Sequence, residues 1–289
     1  MNPIGILQGR LVPPEGSRIQ SFPRSRYRDE CALAAKAGLD CIEWIDDLYG
    51  ADCNPIRSRT GIAEMQSLIS SSGVRVLSIC ADIFMECPLV QCTDAERTER
   101  MKHLQLLLKH ASLLGARHVM LPFVDNSSLR NVQDTAPVIA MLKEALLWAE
   151  KENIGLHLET DLPPRAFRSL LDALPHPLIR ATYDIGNSAS LGYDPKEELA
   201  AYGERIGSVH VKDRKRGGGT VPLGEGDADF ATVFNGLRAV GYGGLFILQV
   251  ACGEPGDEVQ WARKNAAFVR SFLTNHGSIP LTIHGPSAH

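Results

Sequence analysis

Four polar side chains interrupt short apolar runs in the second half of the chain, and their types suit metal binding. IGLHLET carries Glu159, ATYDIGN carries Asp184, SVHVKD carries His210 and LFILQV carries Gln249. Two carboxylates and an imidazole are ordinary ligands of a divalent ion such as Mn²⁺, Mg²⁺, Co²⁺ or Zn²⁺. A glutamine carbonyl oxygen could add a fourth ligand, weaker because it is neutral. Any one of these residues alone is more often a satisfied buried group. Two carboxylates buried together without a cation, however, would be costly and would raise a pKa. One divalent ion held by Glu159, Asp184, His210 and Gln249 is therefore the expectation.

Further polar residues stand at comparable places. Gln8 and Arg10 follow the first apolar run, Asp82 the third and Asn187 the sixth. Lys212, Asp213 and Arg214 follow His210 directly; Arg216 lies in KDRKRGGGT and Glu225 in PLGEGD. Sugar hydroxyls or a phosphate would suit this set, so these residues are the expected substrate contacts. Glu43, Asp125, Asn126 and Ser188 could also meet sugar hydroxyls, although turns and helix caps use the same residue types. Trp44 and Trp148 read as core or as a sugar platform, and His103, His118 and His157 as structural.

Chemistry at these positions requires a scaffold that brings them together. The chain alternates short β-type runs with stretches of helical period. The runs are Ile4–Leu7, Cys41–Ile45, Val74–Ile79, His118–Pro122, Ile154–Glu159, Ile179–Tyr183, Ser208–Val211 and Leu245–Val250. The stretches between them end at glycines suited to C-caps, such as Gly38, Gly73 and Gly115. TDAE, starting at Thr93, reads as a capping box. Such alternation calls for a parallel sheet with right-handed crossovers. Eight units without a linker favour a single α/β domain, a closed (β/α)₈ TIM barrel, over an open sheet. An open sheet would normally show a glycine fingerprint after its first strand, and QGRLVPPEG is not one. The barrel is placed over residues 1–275, with a polar C-terminal tail over 276–289. In such a barrel the active site lies at the C-terminal ends of the strands, where the polar residues stand.

Composition fits this reading. A chain of 289 residues with 44% hydrophobic and 22% charged residues can bury a large core without disulfides. Its formal net charge of -4 gives no reason to expect nucleic acid or a membrane as partner. The seven cysteines are odd in number and form no C-x-x-C pair, which fits reduced thiols and a cytoplasmic location. The N-terminal segment MNPIGILQGR lacks the features of a signal peptide.

The stretches HLET, YDIGN, SVHVKDR and PLGEGDADF together resemble the xylose-isomerase-like barrels, the sugar phosphate isomerase/epimerase superfamily. The resemblance runs from GILQGRL to LFILQV. It implies a metal-dependent isomerase or epimerase of a small sugar, sugar phosphate or cyclitol. In the family's ketose epimerases a Glu, an Asp, a His and a second Glu on strands five to eight hold one metal. These positions fall on Glu159, Asp184, His210 and Gln249, and at the last this chain departs. The two family glutamates transfer protons on opposite faces of one carbon. An amide cannot accept a proton near neutral pH, so proton transfer is expected to run through Glu159. Glu254, Glu225 and Asp213 are candidates for a replacement second base. Arg216 lies at about the spacing of a substrate arginine in enzymes similar to D-tagatose 3-epimerase. A lyase similar to inosose dehydratase and a sugar-binding protein with a degenerate site are the alternatives. A nuclease similar to endonuclease IV is disfavoured by the few rim histidines and the acidic balance. Family barrels often pair, so a homodimer is a further expectation.

Overall fold

The structure is a computed structural model that describes residues 2–129 and 134–274. The expected tail at 276–289 lies outside the described residues. Strands β1 (Ile4–Leu7), β2 (Cys41–Ile45), β3 (Arg75–Cys80), β4 (His118–Phe123), β5 (Gly155–Thr160), β6 (Ile179–Asp184), β7 (Ile206–Val211) and β8 (Leu245–Leu248) form the barrel. Each pairs in parallel with its neighbours in the chain, and β1 pairs with β8, so the sheet closes. The expected (β/α)₈ barrel is thus the observed fold.

The helices form where the sequence places both their caps and their apolar faces. Helix Asp94–Leu114 starts at a complete capping box between Thr93 and Glu96 and ends at Gly115 in the left-handed conformation. Tyr27–Ala37 and Arg59–Ser72 end in the same way at Gly38 and Gly73. Between β6 and Pro195–Tyr202 lies a short helix, Ile185–Leu191, that the apolar pattern did not single out. Its cap is Asp184, whose side chain accepts a hydrogen bond from the Asn187 backbone N–H. The helix therefore begins at the last residue of β6 and fixes one oxygen of that carboxylate.

The barrel axis is unusually polar at its lower levels. The His118 and His157 rings stack with centroids 3.7 Å apart. His157 Nδ1 lies 2.9 Å from Ser208 Oγ, which in turn lies 2.9 Å from Thr182 Oγ1. Burial pushes His118 down to about 4 and His157 well below its usual value, so both rings are neutral at pH 7. Both are structural, as expected. Trp44 is fully buried, and its indole N–H donates to Asn54. It belongs to the core.

After β7 the chain forms a two-stranded antiparallel ribbon, Asp213–Arg214 with Thr220–Val221. Asp213 is buried beneath it and accepts backbone N–H groups of Gly224, Gly226 and Ala228. A Cβ at Gly226 would collide with this carboxylate, so the PLGEGD turn requires glycine there. Asp213 is a loop anchor rather than the expected substrate contact or spare base. Asp213→Ala removes the shared acceptor of three part-buried backbone donors and is expected to destabilise the fold by about 2 kcal/mol. Urea denaturation measures this; a loss below about 1 kcal/mol would contradict the anchoring role.

Candidate metal centre and substrate cavity

The ends of β5, β6 and β7 bring Glu159, Asp184 and His210 together. One ligand atom from each lies within 4.8 Å of the other two. All three side chains are buried. His210 is oriented from behind: its Nε2 lies 2.9 Å from Glu43 Oε2, and both side chains are fully buried. The approach is that of an ion pair, since neither group has an aligned hydrogen bond. It leaves Nδ1 facing the cluster, 3.9 Å from Glu159 Oε2 and with no hydrogen-bond partner. Glu43 is thus the residue behind the imidazole, not a sugar contact.

The carboxylates are equally constrained. Glu159 Oε1 accepts from the Asn187 amide at 2.7 Å, which leaves Oε2 toward His210. Asp184 gives Oδ1 to the helix that it caps and turns Oδ2 toward Lys212 Nζ at 3.4 Å. Lys212 reaches this point because Gly186 carries no side chain; a Cβ there would come within 2.7 Å of Lys212 Cγ.

Charges this crowded shift one another. Burial pushes Glu159 up to about 7, helped by the charge of Asp184 and opposed by His210 and Lys212. Burial alone would pull His210 down, but the carboxylates of Glu43, Glu159 and Asp184 outweigh it and raise the imidazole to about 9. Burial would likewise raise Glu43, yet His210 holds it below the usual carboxylate range. Two carboxylate oxygens and an unpartnered imidazole nitrogen, aimed at one point, fit a divalent cation.

The cluster borders a cavity of about 440 Å³ at the mouth of the barrel. Glu159, Asn187, Lys212, Arg214, Gln249 and Asp82 line it, and all six were legible as site residues in the sequence. Asp184 and His210 lie beside it as members of the ligand cluster. Gln20, Asp125, Asp161, Ser190 and the apolar Met85, Val124 and Leu191 complete the wall. Of the polar wall residues, Gln20, Asp161 and Ser190 were missed. Asp161 stands two residues past Glu159 and could have been noticed. Gln20 sits in an irregular loop and carries no local signal.

Several expected contacts are placed elsewhere. Gln8 is buried and accepts from the Ile45 backbone N–H. Arg10 is buried and donates to the backbone carbonyls of Val250 and Ile19. Both hold the β1 loop to its neighbours instead of lining the cavity. Arg216 is exposed, its guanidinium packed where a Cβ on Gly192 would stand. Glu225 and Glu254, two proposed replacement bases, are exposed and outside the cavity wall. Gln249 does line it, but its Oε1 accepts from Lys212 Nζ at 3.1 Å and its Nε2 donates to Gln20 Oε1 at 2.9 Å.

The family profile described as Xylose isomerase-like TIM barrel matches residues 31–272. The chain belongs to this family. It is 28% identical over 273 residues to L-ribulose-5-phosphate 3-epimerase UlaE of Shigella flexneri, covering 88% of this chain and 92% of that protein. The IolI protein with a bound zinc atom shares the fold with a TM-score of 0.75 at 14% identity, over 93% of this chain and 98% of that one. D-allulose 3-epimerase from Methylomonas sp., in complex with D-allulose, shares it with a TM-score of 0.71 at 17% identity, over 93% and 96%. In this family member, Glu43→Gln removes the charge that orients His210 and is expected to weaken Mn²⁺ binding about 10- to 100-fold. Isothermal titration with Mn²⁺ reads the change, and unaltered affinity would show that Glu43 does not tune the imidazole.

Proposed function

We propose that this protein is a divalent-metal-dependent epimerase of a small ketose or ketose phosphate. The observation that carries the reading is the convergence of Glu159, Asp184 and the unpartnered His210 Nδ1 beside a polar cavity. The 28% identity to L-ribulose-5-phosphate 3-epimerase over most of both chains supports the substrate class. We place Glu159, Asp184 and His210 as the protein ligands of the ion. Gln249, whose carbonyl is engaged by Lys212, we place as a positioning residue at the cavity edge.

A bound divalent cation supplies positive charge beside the substrate carbonyl oxygen, where negative charge develops when a neighbouring proton is removed. The chain's own groups do the rest. Glu159 takes the C–H proton, as the carboxylate of the cavity wall that also faces His210. Asn187 holds the carboxylate through Oε1 and so fixes where Oε2 points. Arg214 holds Asn187 in turn, at 2.9 Å, and is itself tied to the Gly218 carbonyl. Lys212 adds a fixed positive charge at the cavity wall, available to an oxyanion or a phosphate. Asp125 and Asp161, past the ends of β4 and β5, suit sugar hydroxyls as acceptors.

The test is incubation of the Mn²⁺-loaded protein with L-ribulose 5-phosphate and with D-allulose in D₂O. Epimerisation with uptake of deuterium beside the ketone is expected for at least one of them. Glu159→Gln should lower that rate by about 10²- to 10⁴-fold. Binding of both sugars without exchange of any C–H proton would instead identify a sugar-binding protein.

A further inference from the structure

Inverting a carbon beside a ketone requires two proton carriers. One group takes the proton from one face, and another returns a proton to the opposite face. A carboxylate fixed at one wall cannot reach both faces of a bound sugar. Glu159 is so fixed, by Asn187 on the β5–β6 side of the mouth. Gln249 cannot serve as its counterpart, because an amide does not carry a proton at neutral pH.

Among the described residues, the other ionisable groups of the cavity wall are Asp82, Asp125, Asp161, Lys212 and Arg214, the last a permanent cation. Asp161 follows Glu159 on the same strand, and Asp125 follows the adjacent β4. Both lie nearer to Glu159 in the strand order than Asp82 does. Lys212 is engaged with Asp184 and Gln249. Asp82 follows β3, separated from β5 by β4 in the barrel order, and is reached from the β8 side through two amides.

Those amides have a fixed direction. Lys212 Nζ can only donate, so Gln249 Oε1 accepts. Gln249 Nε2 then donates to Gln20 Oε1, and Gln20 Nε2 donates to Asp82 Oδ2 at 2.8 Å. A carboxylate at position 249 could not donate to Gln20. The chain of donors runs from the Lys212 ammonium through Gln249 and Gln20 to the Asp82 carboxylate past the end of β3. Asp82 also sits where an N-cap would sit, before the short helix Ile83–Glu86, yet its side chain makes no cap bond. Its Oδ1 accepts from the buried Cys80 thiol at 3.1 Å, and its Oδ2 from Gln20 at the cavity wall.

We propose that Asp82 is the second acid–base catalytic residue, working on the face of the substrate carbon opposite Glu159, with Gln249 and Gln20 positioning it. This rests on the epimerase reading above. In one direction the C–H bond breaks, its proton goes to the Glu159 carboxylate, and its electron pair enters the adjacent carbonyl to give an enediolate. The Asp82 O–H bond then breaks, its proton forms the new C–H bond on the other face, and the carbonyl re-forms. Glu159 ends with one proton more and Asp82 with one fewer, and exchange with water restores both. Burial supports the assignment by pushing Asp82 up to about 6, which leaves a protonated fraction near neutral pH.

The experiment compares the Mn²⁺-loaded wild type with Asp82→Asn in D₂O, using L-ribulose 5-phosphate and D-allulose as probes and following both epimerisation and C–H exchange by NMR. Asp82→Asn is expected to lose epimerisation by about 10²-fold or more, while the epimer whose C–H faces Glu159 still exchanges its proton. Asp82→Asn combined with Gln249→Glu supplies a base from the β8 side of the mouth and should recover about tenfold of the loss. Gln20→Leu, in a partly exposed loop, cuts the chain without touching the core and should slow epimerisation about tenfold with exchange kept. Epimerisation by Asp82→Asn within about threefold of wild type overturns the proposal, as does equal loss of exchange and epimerisation in a folded variant. A wild type that neither epimerises nor exchanges either probe overturns the epimerase reading itself, and this inference with it.

Discussion

The buried ion pair between Glu43 and His210 governs the rest of this site. Both side chains are fully buried, on strands on different sides of the barrel, and their charges meet at 2.9 Å. Either charge alone at that depth would be strongly unfavourable. The contact with Glu43 engages Nε2 and leaves Nδ1 facing Glu159, within the cluster of Glu159, Asp184 and His210. The histidines below are neutral, pushed down by burial, and bring no competing charge. The polar axis is therefore layered, with hydrogen-bonded neutral groups at depth and opposed charges at the mouth.

The amide at position 249 follows from the same need to place charge. The cluster of Glu159, Asp184 and His210 already has the Lys212 ammonium within reach of Asp184. An amide accepts from that ammonium and donates onward to Gln20, which a carboxylate cannot do. The substitution removes a negative charge from β8 and links that wall to Asp82 on the β3 side. Read from the sequence, Gln249 is a weaker fourth ligand and a lost base. In the folded chain it is the middle of a directed hydrogen-bond path.

Much of this was legible before any coordinates. The eight strands fell within two residues of their expected starts and ends, because apolar runs bounded by glycine and cap residues are local signals. Glu159, Asp184 and His210 stood out because a polar residue ending an otherwise apolar strand has few destinations in a barrel. Asp213 misled for the same reason. It shares the strand-end position but turns under the ribbon to accept three backbone N–H groups, and nothing local distinguishes those fates. Arg10 and Gln8 misled likewise, since long polar side chains near a barrel mouth can equally tie loops together.

The sequence alone determined the barrel, its strand order and the residue types at the mouth, since periodicity and caps act over a few residues. The tertiary structure decided which nitrogen of His210 is free, that Glu43 stands behind it, and that Gln20 joins Gln249 across 229 positions of chain. Those outcomes depend on the direction of hydrogen bonds and the balance of buried charges. Both are set only when distant segments close around the same few ångströms of space.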